Sequence, residues 1–291
     1  MTVHLGLNGG YAAVSVADDR YPLFADASEQ WYFTKEDLMN TPSQAGSDYS
    51  PPSGKTSYSP EEERSWRSRG CNFIHNVAKR LDVHQFVAST ACVYFHRFYM
   101  RQSLGQYHAY EVASACVFLA TKVEENKRSL KDVAFACAYV AVKGSAKEAA
   151  QTQDRWQRLI RRLEIIVLEN CCFDLDITHP YSYLDTLAPE FGIPVFVAKS
   201  ATAHVNDCLR SPLCLLYRPE IIAVAALYFA MGVHGYDFKG SLFDSCKVAL
   251  PSGAGRETEA CAMDMLEFYQ RETEVEREAL QRQHKLSPPF T

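Results

Sequence analysis

Glu111-Val-Ala-Ser-Ala-Cys-Val-Phe-Leu-Ala120 is small or apolar on nearly every side of a helix. Such a helix belongs at the centre of a bundle, where small side chains let neighbours approach closely. Glu220-Ile-Ile-Ala-Val-Ala-Ala-Leu-Tyr-Phe229 echoes it about 110 residues later, again opened by Glu. The simplest account is an all-α chain made of two tandem bundles of about five helices each, with the same kind of helix at both centres.

The segments on either side of Glu111 support this reading. Ser59-Pro60-Glu61-Glu62 puts a capping hydroxyl, a first-turn proline and a third-position carboxylate in the order that starts a helix. Phe73, Ile74, Val77 and Leu81 follow at helical spacing, then Val87, Ala91, Tyr94, Phe95 and Phe98. Leu130–Val140 and Trp156–Cys172 supply two more helices, and no stretch alternates as a strand would. His179-Pro180 marks a junction, because the residue before proline avoids helical geometry. A last helix is expected from Thr258 to His284. The expected organisation is an N-terminal extension over 1–59, a first bundle over 60–177 and a second over 178–291.

The N-terminal extension reads differently. Residues 1–30 show no sustained period, and Gly6, Gly9 and Gly10 break any helix. Trp31-Tyr32-Phe33 is an aromatic cluster, and Thr34 is placed to cap a short helix with Asp37 in the third position. From Thr41 to Ser59 the composition turns to Ser, Pro, Gly and Tyr with almost no aliphatic residue, which predicts a mobile loop.

Apolar residues make up 47% of the 291 and charged residues 22%, enough to bury a core and inconsistent with a disordered chain or a fibre. A net charge of −5 argues against a strongly basic nucleic-acid binder. Residues 60–175, however, hold 17 basic side chains against 13 acidic ones, so an anionic partner could bind there. The apolar run Ile221–Val233 is too short to span a bilayer. Met1–Gly10 lacks the basic start of a secretory signal. The ten cysteines lie in apolar surroundings (Cys92, Cys116, Cys137) or side by side (Cys171, Cys172), with no Cys-x-x-Cys pair. Free, buried thiols in a soluble intracellular protein are expected.

No catalytic motif is present. Pro251-Ser-Gly-Ala-Gly-Arg256 lacks the ending of a phosphate loop, and neither a nucleophile elbow nor a His-Glu-x-x-His pair occurs. Asp174 and Asp176 follow a helix end, where acids are usually solvated, and His96 reads as a core histidine. No enzyme activity, cofactor or metal is expected. The conspicuous charges are Lys122 and Glu125, three apart at the end of the central helix, and Glu164, set inside Leu163-Glu-Ile-Ile-Val-Leu168.

Asn72-Phe-Ile-His75, His96-Arg-Phe-Tyr-Met100, Phe118-Leu-Ala-Thr-Lys-Val-Glu-Glu125 and Cys172-Phe-Asp-Leu175 together resemble the cyclin box. The wording is similar to the transcriptional cyclins: the cyclin K and cyclin T group, and the fungal cyclin subunit of polymerase carboxy-terminal-domain kinases. Trp31-Tyr-Phe33 and Thr41-Pro-Ser43 fit that subgroup. The resemblance covers roughly 31–235 and is stronger in the first box. It implies a nuclear, non-catalytic subunit that binds and activates a transcriptional cyclin-dependent kinase acting on the RNA polymerase II tail, promoting elongation. It also implies kinase-binding roles for Lys122, Glu125, Glu164 and Phe173, with no membrane or direct nucleic-acid partner.

Cell-cycle cyclins carry an apolar substrate-docking patch where this chain has Arg64-Ser-Trp-Arg-Ser68, so docking of apolar substrate motifs is not expected. Arg64, Arg67 and Arg69 instead form a candidate basic steering edge. Tyr49-Ser50-Pro51 resembles a unit of the polymerase tail, which makes Ser50 a candidate phosphosite. The competing reading is a transcription factor IIB-like protein, whose two helical repeats would bind promoter DNA and basal factors.

Overall fold

A computed structural model describes residues 27–46, 55–236 and 254–286, and all regular structure there is helical. Five helices form the first bundle: α1 (Pro60–Leu81), α2 (Gln85–Phe98), α3 (Ala109–Val123), α4 (Leu130–Ala141) and α5 (Ala146–Asn170). Each starts on a side chain that accepts a first-turn amide. Ser59 and Glu62 close a reciprocal capping box at α1. His84 and His108 accept through Nδ1 from the amides of Phe86 and Tyr110, both at 3.3 Å. Ser129 and Ser145 cap α4 and α5. That last cap starts α5 ten residues before the expected Trp156, because Ala146–Ala150 sustains the helix although it is polar and alanine-rich.

The central helix is α3, which packs on α1, α2, α4 and α5 and buries every side chain from Val112 to Thr121. Glycine permits a close approach of α1 and α2. A Cβ on Gly70 of α1 would lie 2.1 Å from Cζ of the buried Phe95 in α2.

The second bundle comprises α6 (Pro180–Glu190), α7 (Val195–Cys208), α8 (Pro219–Val233) and α9 (Ala254–Leu286), with a 3-10 turn at Pro212–Leu215. Its centre is α8, packed on α6, α7 and α9, so the echo of Glu111–Ala120 occupies the matching place. Among the described residues no helix is long and apolar enough to cross a membrane. The bundles meet through α2, where Ser89 pairs with Tyr181 (3.0 Å), Thr90 with His179 (2.7 Å), and His96 Nε2 with the Leu209 carbonyl (3.0 Å).

Within the N-terminal extension, residues 27–46 form a strap across both bundles. Phe33 N–H donates to the Leu215 carbonyl (2.7 Å), Lys35 pairs with Asp264 of α9, and Glu29 with Arg218. Thr34 and Asp37 cap each other ahead of a short 3-10 turn, as their spacing predicts. The expected mobile loop from Thr41 is anchored at both described ends. Pro42–Ala45 forms one helical turn, Thr41 and Ser43 are buried, and Ser43 Oγ accepts from Leu104 N–H (3.0 Å). Its carbonyl accepts from Tyr58 N–H. Polar groups, which the composition argument discounts, hold these ends through hydrogen bonds to the bundle. Residues 47–54 lie outside the described residues.

Candidate functional site

In the last turn of α3, Lys122 Nζ lies 2.5 Å from Glu164 Oε1 in the neighbouring α5, and 4.1 Å from the centroid of the Phe118 ring. Lys122 is 44% exposed and Glu164 15%. A half-exposed pair of this kind adds only about 0–1 kcal/mol to folding. Next to Glu164, Ile165 is 59% exposed, and beyond the end of α5 Phe173 is 66% exposed. One preformed charged pair thus lies on a helix that also leaves Ile165, and Phe173 just past its end, in water, features suited to a protein partner.

Phe173 is presented by strained backbone. Cys172 and Phe173 are both left-handed, with φ of 53° and 56°. Such residues cost about 1–3 kcal/mol each and persist only where their surroundings fix them. Cys172 and Phe173 N–H close the helix end onto the carbonyls of Glu169 and Leu168, both at 3.0 Å. Trp31 Nε1–H donates to Asp174 Oδ2 (2.8 Å) and Arg97 donates to the Asp174 carbonyl (3.0 Å). The Trp31 ring is itself buried, with the guanidinium carbons of Arg97 and Arg101 4.5 and 4.9 Å from its centroid. Asp174 is therefore an anchor for the strap and not merely a solvated acid. The aromatic cluster at Trp31 is visible in the sequence, but nothing there connects it with Asp174.

The other candidates fall elsewhere. Glu125 does not join Lys122. With φ of 50° it leaves the helix axis and pairs with Lys127 at 3.1 Å, exposed, so a three-residue spacing counted along an ideal helix misplaces it. The steering edge is not formed as expected, because Arg67 is 2% exposed. It pairs with the buried Glu63 four residues earlier (2.7 Å) and donates to the His96 carbonyl (3.0 Å). Glu63 also accepts from Thr41 and from Gln44. A run of polar neighbours hid this buried cluster, although the i, i+4 spacing of Glu63 and Arg67 is its signature. Arg64 is paired with Glu61, and Arg69 lies over the Trp66 ring. Ser50 falls outside the described residues. His96 is a core residue with Nε2 satisfied and Nδ1 without a partner among the described residues. The nine described cysteines are free, but Cys172 is exposed, contrary to the expectation of buried thiols.

Residues 38–176 match the family described as Cyclin, N-terminal domain. Cyclin pch1 of Schizosaccharomyces pombe is 43% identical over 70% of this chain and 58% of its own length. Human Cyclin-K is 35% identical over 69% of this chain and 33% of its own. Residues 38–176 are a cyclin N-terminal domain. The chain spans about half the length of curated relatives it matches, 58% of pch1 and 47% of zebrafish Cyclin-K. A chain of the yeast RNA Pol II CTD kinase CTDK-1 complex shares the fold, with a TM-score of 0.65 at 16% identity, over 82% of this chain and 72% of that chain. With cyclins as its relatives, the transcription factor IIB-like reading is not favoured. The matched span begins at Leu38, so it takes in the Thr41–Ser43 anchor as well as α1–α5.

Proposed function

We propose that this chain is the non-catalytic regulatory subunit of a transcriptional cyclin-dependent kinase, acts in the nucleus, and directs that kinase to the RNA polymerase II tail. Similarity to cyclins K and pch1 supports the class of partner. The observation that carries the docking role is the Lys122–Glu164 pair, on a helix that also leaves Ile165, and Phe173 just past its end, exposed. Activating a kinase requires its helix-C glutamate to be held against the lysine that binds the ATP phosphates. Ile165 and Phe173 supply apolar area for a helix to pack on. The charged pair satisfies backbone groups that such packing would otherwise strand. The cyclin shifts an inactive–active equilibrium by binding one state better, and supplies no reacting group. We assign Phe173 to this surface as well, and Glu125, exposed three residues beyond Lys122, is a further candidate contact.

The test is Lys122→Ala with Glu164→Ala. Both side chains lie outside the core, so circular dichroism and Tm should be nearly unchanged. Loss of a desolvated charged contact should weaken kinase binding by about 2–5 kcal/mol. A double variant that bound and activated its kinase as wild type does would show that the partner docks elsewhere.

A further inference from the structure

With Arg67 buried, the densest exposed run of basic side chains in residues 60–175 is one segment of α5. Arg155, Arg158, Arg161 and Arg162 are all exposed, and the segment from Asp154 to Arg162 holds these four arginines against one carboxylate. Arg155, Arg158 and Arg162 follow at i, i+3 and i+7 along one edge, with Arg161 on its flank. Arg155 reaches Glu111 only at 3.8 Å. Among the described residues Arg158, Arg161 and Arg162 make no ion pair or hydrogen bond. Like charges three and four residues apart destabilise a helix, and among the described residues only the long Arg155–Glu111 pair offsets that repulsion here.

We propose that this ridge binds an extended peptide carrying phosphates about three residues apart. Every cation on it is arginine, whose planar fork takes a phosphate through two parallel hydrogen bonds, where lysine acts as a point charge. Arg155 and Arg162 are seven residues apart, roughly 10 Å along the helix, which an extended chain covers in about three residues. Single-stranded nucleic acid would want aromatic platforms for its bases. The aromatic residue of this segment, Trp156, instead turns inward and stacks on Phe73 with ring centroids 6.0 Å apart. The chain's net charge of −5 also disfavours a polyanion that touches a wide surface. The inference does not depend on the Lys122–Glu164 assignment, so the two can fail separately.

The experiment is fluorescence anisotropy of the full chain with three probes: a Ser-Pro repeat peptide with two phosphoserines three residues apart, its unphosphorylated form, and a single-stranded RNA of matched charge. The phosphopeptide should bind tightest, and weaken on going from about 50 to about 150 mM salt. Arg158→Glu with Arg162→Glu should lower its affinity about tenfold or more. Lysine at both positions should lose about threefold, because charge stays while the fork is lost. Glutamate and lysine are both good helix formers, so circular dichroism should be unchanged, and Arg64→Glu should bind as wild type. The proposal is overturned if the phosphopeptide does not bind at low salt, if its unphosphorylated form binds equally, if charge reversal on α5 has no effect, or if the RNA binds tighter.

Discussion

The two bundles share a plan but are specified in different ways. All five helices of the first start on a side chain that accepts a first-turn amide, at Ser59, His84, His108, Ser129 and Ser145. In the second, α6, α7 and α8 start at or next to proline, with no side-chain cap. Each cap contributes about 1 kcal/mol, so the first bundle holds the helix starts locally. The second leans on tertiary contacts: the strap at Phe33 and Lys35, and the network around His179. It also leaves Val195, Phe196, Tyr228, Val233, Tyr236, Met263 and Leu266 exposed, against Ile165 and Phe173 in the first. A bundle whose helices start themselves can spare its surface for a partner, whereas one held by its neighbours is coupled to them.

The sharpest way to break that contrast is Arg67→Ala. It strands the buried carboxylate of Glu63 and loosens the Thr41 anchor, so it should cost about 3–5 kcal/mol, typical of a buried pair losing one partner. Tm should fall by roughly 6–20 °C in a thermal melt. A loss under about 1 kcal/mol would mean that the first bundle does not depend on this polar core.

The coupling of the second bundle to the first should depend on pH. Burial pushes the His179 imidazole down to about 4. Glu124 Oε1 lies 3.9 Å away, but the Thr90 hydroxyl stands between them and donates to it at 2.5 Å. Neutral His179 therefore donates from Nε2 to Thr90. In the unfolded chain the imidazole protonates near 6.5, so between about 6.5 and 4 the unfolded state binds the extra proton. Stability is full above about 6.5, falls as pH drops through that window, and is lost by at most about 3 kcal/mol below it. Burial also lowers His75 and His204, which act in the same direction. Urea melts at pH 7 and pH 4.5 should therefore show a smaller pH difference in His179→Asn than in wild type. Equal differences would remove His179 from the account.

Periodicity, with the capping box at Ser59, made the helices of the first bundle legible because those signals are local, although α5 starts ten residues earlier than expected. Lys122 and Glu164 were legible through the family motif, and the structure brings them together. The strap was not, because Trp31, Asp174 and Arg97 meet only in the folded chain, and Ser43 is buried by hydrogen bonds that composition does not reveal. Arg67 was misread since a charged residue on a polar stretch looks solvated. Glu125 was misplaced because a left-handed residue ends the helix that the spacing assumed.

Glycine substitutions then sharpen the comparison at smaller scale, with opposite signs in the two bundles. Gly70→Ala places a methyl 2.1 Å from the Phe95 ring, whose retreat is blocked by Tyr99 at 5.0 Å between centroids. Overpacking should cost about 1–3 kcal/mol, and a helix-propensity gain of up to about 1 kcal/mol will offset only part of it.

Gly232, in the last turn of α8, is the counterpart. It is exposed, and among the described residues a Cβ there would meet nothing within 4 Å. Alanine should therefore stabilise the chain by restricting the unfolded state, at the low end of about 0.5–1 kcal/mol because a helix end counts for less than its interior. Gly235 nearby is no substitute site, since its φ of 61° would strain any side chain. The measurement is the urea midpoint of Gly232→Ala at unchanged m-value. A rise in midpoint would show that α8 is limited by its own weak ending. A fall would mean that Gly232 meets a neighbour, and that the second bundle is more tightly packed at this end than its exposed side chains indicate.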